Sequence, residues 1–356
     1  MEFMTLSVPF AERQKILMKK ILDIEFAPLA TYQSLIGDLF SVISLHSNFK
    51  EWLCSNINQL VYFRDFEERE FYGMGFFYEH QPREYQNMYF DIPLIETNKI
   101  DISCIDKSLI EFIKSKINNN YYLRIPINMK EIKCVKKALI HMVFVYGYDE
   151  EKKEIYVSNF HNGGKYNRYR YSFLEMEEGF HNRMKNVENY LNDIIYFKNI
   201  NFNYPLLVEK FRSELVSFLN GTDLYNKYKY SIRWGKCQIF FGIYYIEELI
   251  WDIESGKGDL RALYVLYDFL RIINAKREVF FEYGYFQNKE NERLKINMLE
   301  TIRKMRIAII KWIYYKERFG SIEFRDNKEM KEYMVHTLRE IKQKVVNIIS
   351  LLLGIL

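Results

Sequence analysis

The sequence predicts an α+β protein, with N-terminal helices packed on an antiparallel sheet and a mainly helical C-terminal region. Three observations carry this. Apolar residues recur at helical spacing over 10–22 and 31–45. Strand-like runs separated by turn residues fill 121–173. From 206 onward helix-period segments dominate. The chain has 356 residues, 49% hydrophobic and 17% aromatic. That composition supports a sizeable core and excludes a disordered chain.

The elements follow in order. Residues 10–22 (FAERQKILMKKIL) and 31–45 (TYQSLIGDLFSVISL) read as helices, while 55–75 mixes aromatics and charges and gives no clear period. Residues 93–117 read as a loop and then a helix, with Asp106 as its N-cap. YYLRIPIN (121–128), HMVFVYGYD (141–149) and KEIYVSNF (153–160) read as strands. The last two form a hairpin around the polar turn Asp149-Glu150-Glu151-Lys152. NGGKYNRYRYSF (162–173) reads as turn plus strand, and 174–192 as helix. Pro205, in the irregular run 200–206, marks a boundary between residues 4–200 and a helical domain at 201–356. Gly221 and Gly256 close two helices there, and 296–319 and 327–353 are long helices. Met1-Glu2-Phe3, ahead of Met4, reads as a cloning scar.

Net charge is +4, too weak to predict nucleic-acid binding. It is unevenly placed: residues 260–356 hold 19 Lys/Arg and 12 Asp/Glu. A basic C-terminal part suits an acidic partner as well as a solvated helical surface. Cys54, Cys104, Cys134 and Cys237 show neither a CxxC pair nor metal-ligand spacing, which predicts no metal and a reducing, cytoplasmic setting. No uncharged run reaches membrane-spanning length. Phosphate-loop, GxGxxG, HExxH and GxSxG motifs are all missing. The aromatic stretches at 71–80 and 280–286 suit either core packing or the wall of an acyl channel.

The chemistry centres on the hairpin. His141 begins one strand and Asn159 lies near the end of its partner. Drawn around the 149–152 turn, facing positions sum to about 300–301, which makes His141 and Asn159 cross-strand neighbours. An asparagine there can hold one ring nitrogen and aim the other at a nucleophile. A histidine satisfied in the core is the alternative. His161 shares the parity of Asn159 and is a rival base.

The pattern H-x-V-x-V-x-G-Y-D, a short charged turn, then Y-V-x-N resembles the histidine hairpin of the papain-like C39 cysteine-peptidase superfamily. Length and layout are similar to its butirosin-type biosynthetic branch, over about residues 20–180. That resemblance implies a papain-like catalytic domain at 4–200. It also implies an enzyme that moves an acyl group from a carrier-protein thioester, through an enzyme cysteine, to a small amine. The setting implied is antibiotic or other secondary-metabolite biosynthesis. The partner implied is an acyl or peptidyl carrier protein, which brings its own phosphopantetheine. No further cofactor, nucleic acid or membrane is implied, and the oligomeric state stays open, a homodimer included.

The family's nucleophile opens a helix in C-Y-x-[ST]-[AS]-L. The similar segment here is Ala30-Thr31-Tyr32-Gln33-Ser34-Leu35, so Ala30 stands where the cysteine would be. The resemblance thus implies Ala30 (nucleophile position), His141 (base) and Asn159 (orienter) as the triad, with Gln33, Tyr32 and backbone N–H groups near 30 around the oxyanion. No Gln precedes position 30 within 15–29, and Asp23 or Glu25 would repel an oxyanion. Ala30 is either a Cys→Ala replacement or native. A cysteine peptidase or amidohydrolase, and a catalytically dead binding protein on the same fold, remain alternatives.

Overall fold

A computed structural model describes residues 18–57, 59–64, 70–74, 92–105, 108–133, 135, 140–161, 166–182, 192–222, 238–256, 258–319 and 327–356. In chain order the elements are β1 (Lys19–Ile21), α1 (Ser34–Ile43), α2 (Phe49–Asn56), β2 (Leu60–Arg64), β3 (Glu70–Met74), β4 (Ile95–Asp101), α3 (Leu109–Asn118), β5 (Tyr122–Asn128), β6 (Ile140–Asp149), β7 (Glu154–Phe160), β8 (Tyr166–Ser172), α4 (Phe173–His181), β9 (Asp193–Asn199), α5 (Val208–Asn220), β10 (Gln238–Phe241), α6 (Ile243–Glu254), α7 (Leu260–Glu282), α8 (Asn288–Phe319) and α9 (Lys328–Ile355). The fold is α+β, with an antiparallel sheet and a helical C-terminal region. Two compact units share it: residues 1–23 with 98–197, and residues 24–97 with 198–356. The change of unit at 197–198 falls near the expected boundary at 200. Residues 24–97 group with the C-terminal helices.

The first unit is built on the sheet ordered β4-β9-β5-β6-β7-β8. On one edge of β6, β5 pairs with Ile140–Val145 and β1 takes over at Gly147–Asp149. Lys19–Ile21 is therefore a strand, not the end of a helix over 10–22; residues 10–17 of that expected helix lie outside the described residues. Pairing explains the change, because this short segment gains ladder hydrogen bonds that a helix end would lack. Gly147 makes room for it: a Cβ there would sit 2.8 Å from the Lys20 carbonyl oxygen and 2.9 Å from Ile21 Cα. Tyr148 donates its hydroxyl to Asn118 Oδ1 at 2.9 Å, and Asp149 accepts the Lys152 N–H at 3.1 Å, which pins the turn. Each residue of the motif's Gly-Tyr-Asp thus has a structural task.

Two expectations in this unit need correction. The N-cap before α3 is Ser108, whose hydroxyl accepts the Ile110 N–H; Asp106 lies outside the described residues. The expected loop from 93 contains β4; of the expected helix at 174–192, the stretch to His181 is α4 and 183–191 lie outside the described residues, with β9 following from Asp193. Both strands mix polar and apolar residues (IETNKID, DIIYFKN), so period alone carried little signal. A reciprocal capping box starts α4: Ser172 accepts from the Glu175 N–H and the Glu175 carboxylate accepts from the Ser172 N–H.

The second unit holds the remaining helices and the small sheet β10-β2-β3. Gly221 ends α5 in the left-handed region at φ +60, as its place after the helix predicts. The segment 238–256 is a strand and then a helix, broken at Gly242. That glycine has φ +55, and a Cβ on it would lie 2.1 Å from the Phe218 carbonyl oxygen. Helices α8 and α9 form an antiparallel pair, with Lys304–Glu340 and Lys344–Glu300 each at 2.7 Å. These exposed ion pairs contribute little; both helices also bury apolar residues, among them Met305, Ile309, Leu338 and Ile341. In 280–286, Phe280 stacks on Phe211 at 4.8 Å inside the core and Tyr283 and Tyr285 are exposed, so this stretch packs the core. Residues 75–80 of the other aromatic stretch lie outside the described residues.

Candidate functional site

The hairpin register differs from the one drawn around 149–152. Asp149 pairs with Glu154, which leaves 150–153 as the loop, and Lys153 takes φ +54 within it. A bulge between Val145 and Gly147 then takes back one position, so Val145 pairs with Val157 and Phe144 with Ser158. Continued along the pleat, this register sets Val143 across from Asn159 and His141 across from His161. The direct His141–Asn159 pairing is thus corrected. The two share a face, but as diagonal neighbours.

Each side chain now has a definable state. His141 Nδ1 lies 2.9 Å from the Met142 carbonyl oxygen. A carbonyl can only accept, so Nδ1 carries the proton and Nε2 keeps its lone pair. Among the described residues no hydrogen bond to Nε2 occurs. Burial, and next the Arg124 guanidinium, hold His141 below the usual imidazole range. The ring is therefore neutral near pH 7. By contrast, His46 spends both nitrogens, one on the Ile200 carbonyl and one on the Asn48 N–H.

Asn159 is fully buried, accepts the Phe160 N–H on Oδ1 at 2.7 Å and points Nδ2 at Met129 Sδ, 4.0 Å away. His161 is buried too. Its Nε2 meets the Tyr171 hydroxyl at 2.5 Å, and its ring stacks on Tyr169 with centroids 3.4 Å apart. Burial, with a smaller contribution from the His141 charge, pushes His161 down to about 4. The two imidazoles cannot both carry a proton cheaply, and both are held toward the neutral form.

Position 30 lies in the second unit. Ala30 is fully buried. Helix α1 begins at Ser34, with Gln33 as an N-cap whose side chain makes no capping bond, so position 30 does not open the helix. The stretch ahead of the helix instead meets an acceptor from far along the chain. Asp268 on α7 takes the Thr31 N–H at 2.6 Å and the Tyr32 N–H at 3.0 Å on one oxygen, Oδ2. Arg271 reaches the same carboxylate at 3.6 Å and donates to the Pro28 carbonyl oxygen at 3.3 Å. The segment 28–32 is tied to α7, and the N–H groups expected to face an oxyanion are filled by a carboxylate. Burial pushes Asp268 up to about 7 although these donors oppose it.

The Glu25 carboxylate accepts the Ala27 N–H at 2.9 Å, a local turn contact, and the backbone carbonyl of Asp23 accepts from the Tyr122 hydroxyl. Cys54 is buried, its thiol pushed up to about 12 by burial, and Cys104 is exposed; Cys134 and Cys237 lie outside the described residues. Sequence reasoning missed Asp268 altogether. Its only signal was a lone acid in the apolar helical run YVLYDFLRII. Among the described residues no cluster of three His, Cys, Asp or Glu could hold a metal ion, and no helix is long and apolar enough to cross a membrane. No family model matches the chain, and no curated protein matches it.

Proposed function

We propose that this chain is an acyl-transfer protein of the papain-like cysteine type, with alanine in the nucleophile's position. The observation that carries the reading is the state of His141 on the motif hairpin: neutral, Nδ1–H tied to a carbonyl, and Nε2 without a hydrogen bond among the described residues. In the thiol form, His141 takes the Cys proton and the thiolate attacks a carrier-protein thioester. The carrier sulfur leaves and regains a proton from the imidazolium. An amine then attacks the enzyme thioester, gives a proton to His141 and departs as the amide, while the enzyme sulfur is released.

The test is Ala30→Cys, assayed by mass for acyl loading from an acyl carrier-protein thioester, with His141→Ala as control. Loading that needs His141 supports acyl transfer. Hydrolysis of peptides without any transfer to amine supports the peptidase reading instead.

A binding protein with native Ala30 is the second reading. It is favoured by the Asp268 carboxylate on the Thr31 and Tyr32 N–H groups, since a carboxylate ionised there opposes both thiolate and oxyanion. An Ala30→Cys protein whose thiol is inert up to about pH 9, beyond the ordinary thiol range, and loads nothing establishes that second reading.

A further inference from the structure

Helix α8 packs one side on α7 and α9 and leaves the other open. The open side carries Ile296 (62% exposed), Leu299 (48%), Ile307 (39%), Ile310 (54%) and Tyr314 (54%). With Arg303 these positions recur every three or four residues, one continuous stripe about 27 Å long at 1.5 Å per residue. So many large apolar residues in line mark a surface that meets something.

Charge decides what it meets. Arg303 sits in the stripe, with Arg306 on one margin and Arg293 and Lys311 on the other. Among the described residues Arg293, Arg303 and Arg306 have no ion pair, whereas the acids of this side, Glu292 and Glu300, are matched by Lys295 and Lys344. Glu317 ends the stripe between Lys316 and Arg318. The net field is positive. A second copy fits poorly, because any two-fold pairing brings this positive face against the same positive face. An anionic bilayer fits less well than a protein, because Arg303 lies inside the apolar stripe, where a protein can set a carboxylate against it and an acyl layer cannot.

We propose that this face of α8 docks an acidic, helical carrier protein, whose apolar residues cover the isoleucines and whose carboxylates meet the three arginines. The inference rests on the acyl-transfer reading and adds where the thioester donor binds.

The experiment is fluorescence anisotropy of a labelled, purified acidic holo-acyl carrier protein titrated with the full chain at low and moderate salt. Wild type should bind, more weakly as salt rises. Arg303→Glu with Arg306→Glu should weaken binding by about tenfold or more, as charge reversal at a complementary interface does. Ile307→Asp with Ile310→Asp should do the same. Lys130→Glu with Lys328→Glu, an equal charge change at exposed sites elsewhere, should not. Circular dichroism checks folding, and the arginine pair, being exposed, decides the matter if the aspartates disturb the helix.

Absence of salt-sensitive binding, or equal binding by the arginine pair, overturns the proposal. So does pelleting with phosphatidylglycerol vesicles that the arginine pair abolishes, or a dimer in sedimentation velocity that it dissociates. The two readings separate cleanly. If Ala30→Cys loads acyl groups equally fast with and without Arg303→Glu and Arg306→Glu, docking fails and acyl transfer stands. If Ala30→Cys never loads but carrier binding is charge-dependent, acyl transfer fails and docking stands.

Discussion

Asp268 Oδ2 accepts the Thr31 N–H at 2.6 Å across 237 positions of sequence. The same oxygen takes the Tyr32 N–H, so one buried carboxylate holds two successive N–H groups just ahead of α1. Asp268→Ala should leave two donors without an acceptor and cost about 2–4 kcal/mol in urea unfolding, with Asp268→Asn, which keeps an acceptor oxygen, milder.

That carboxyl also sets a pH dependence. Its folded value is raised to about 7, so the folded state binds the proton more tightly than the unfolded chain. Its contribution is greatest below about pH 4 and is lost as pH rises toward 7. The difference in unfolding free energy between wild type and Asp268→Asn should therefore fall steadily over that window; a flat difference contradicts the burial argument.

His161 works in the opposite sense. Held down to about 4, it favours the fold when neutral. Its contribution is complete above about pH 6.5, the unperturbed imidazole value, and is lost as pH falls toward 4. His161→Gln should flatten the acid side of the stability profile. NMR titration of the ring should show it uncharged at about pH 6, where a free histidine is mostly protonated.

The thiol introduced by Ala30→Cys should feel the neighbouring carboxylate. Adding Asp268→Asn removes that negative charge, so iodoacetamide alkylation of the double variant should shift to lower pH than in Ala30→Cys alone. Identical profiles would mean that Asp268 does not act electrostatically on position 30.

Gly147→Ala should push β1 off β6, since the added Cβ meets backbone that cannot move aside. A loss on the order of 1–3 kcal/mol is expected, with faster hydrogen exchange at Leu22, whose N–H bonds to the Tyr146 carbonyl oxygen. Conformational freedom is not the issue at Gly147, since its backbone needs space and not a positive φ.

By itself the sequence determined the fold class, the strands β5 to β8, and the helix ends at Gly221 and beyond Glu254. Each of these rests on local chemistry: two-residue and 3.6-residue periods, a polar turn, glycine where φ is positive. Tertiary structure decided the rest. The facing partner of His141 turned on a shift of the loop and a one-residue bulge, and a bulge is set by neighbouring strands more than by its own residues. The strand at Lys19–Ile21 exists because β6 offers it an edge. Helix α1 starts at 34 and not 31, and the N–H groups of Thr31 and Tyr32 ahead of it go to an aspartate far along the chain. Such long-range acceptors leave no periodic trace, so only the folded chain could reveal them.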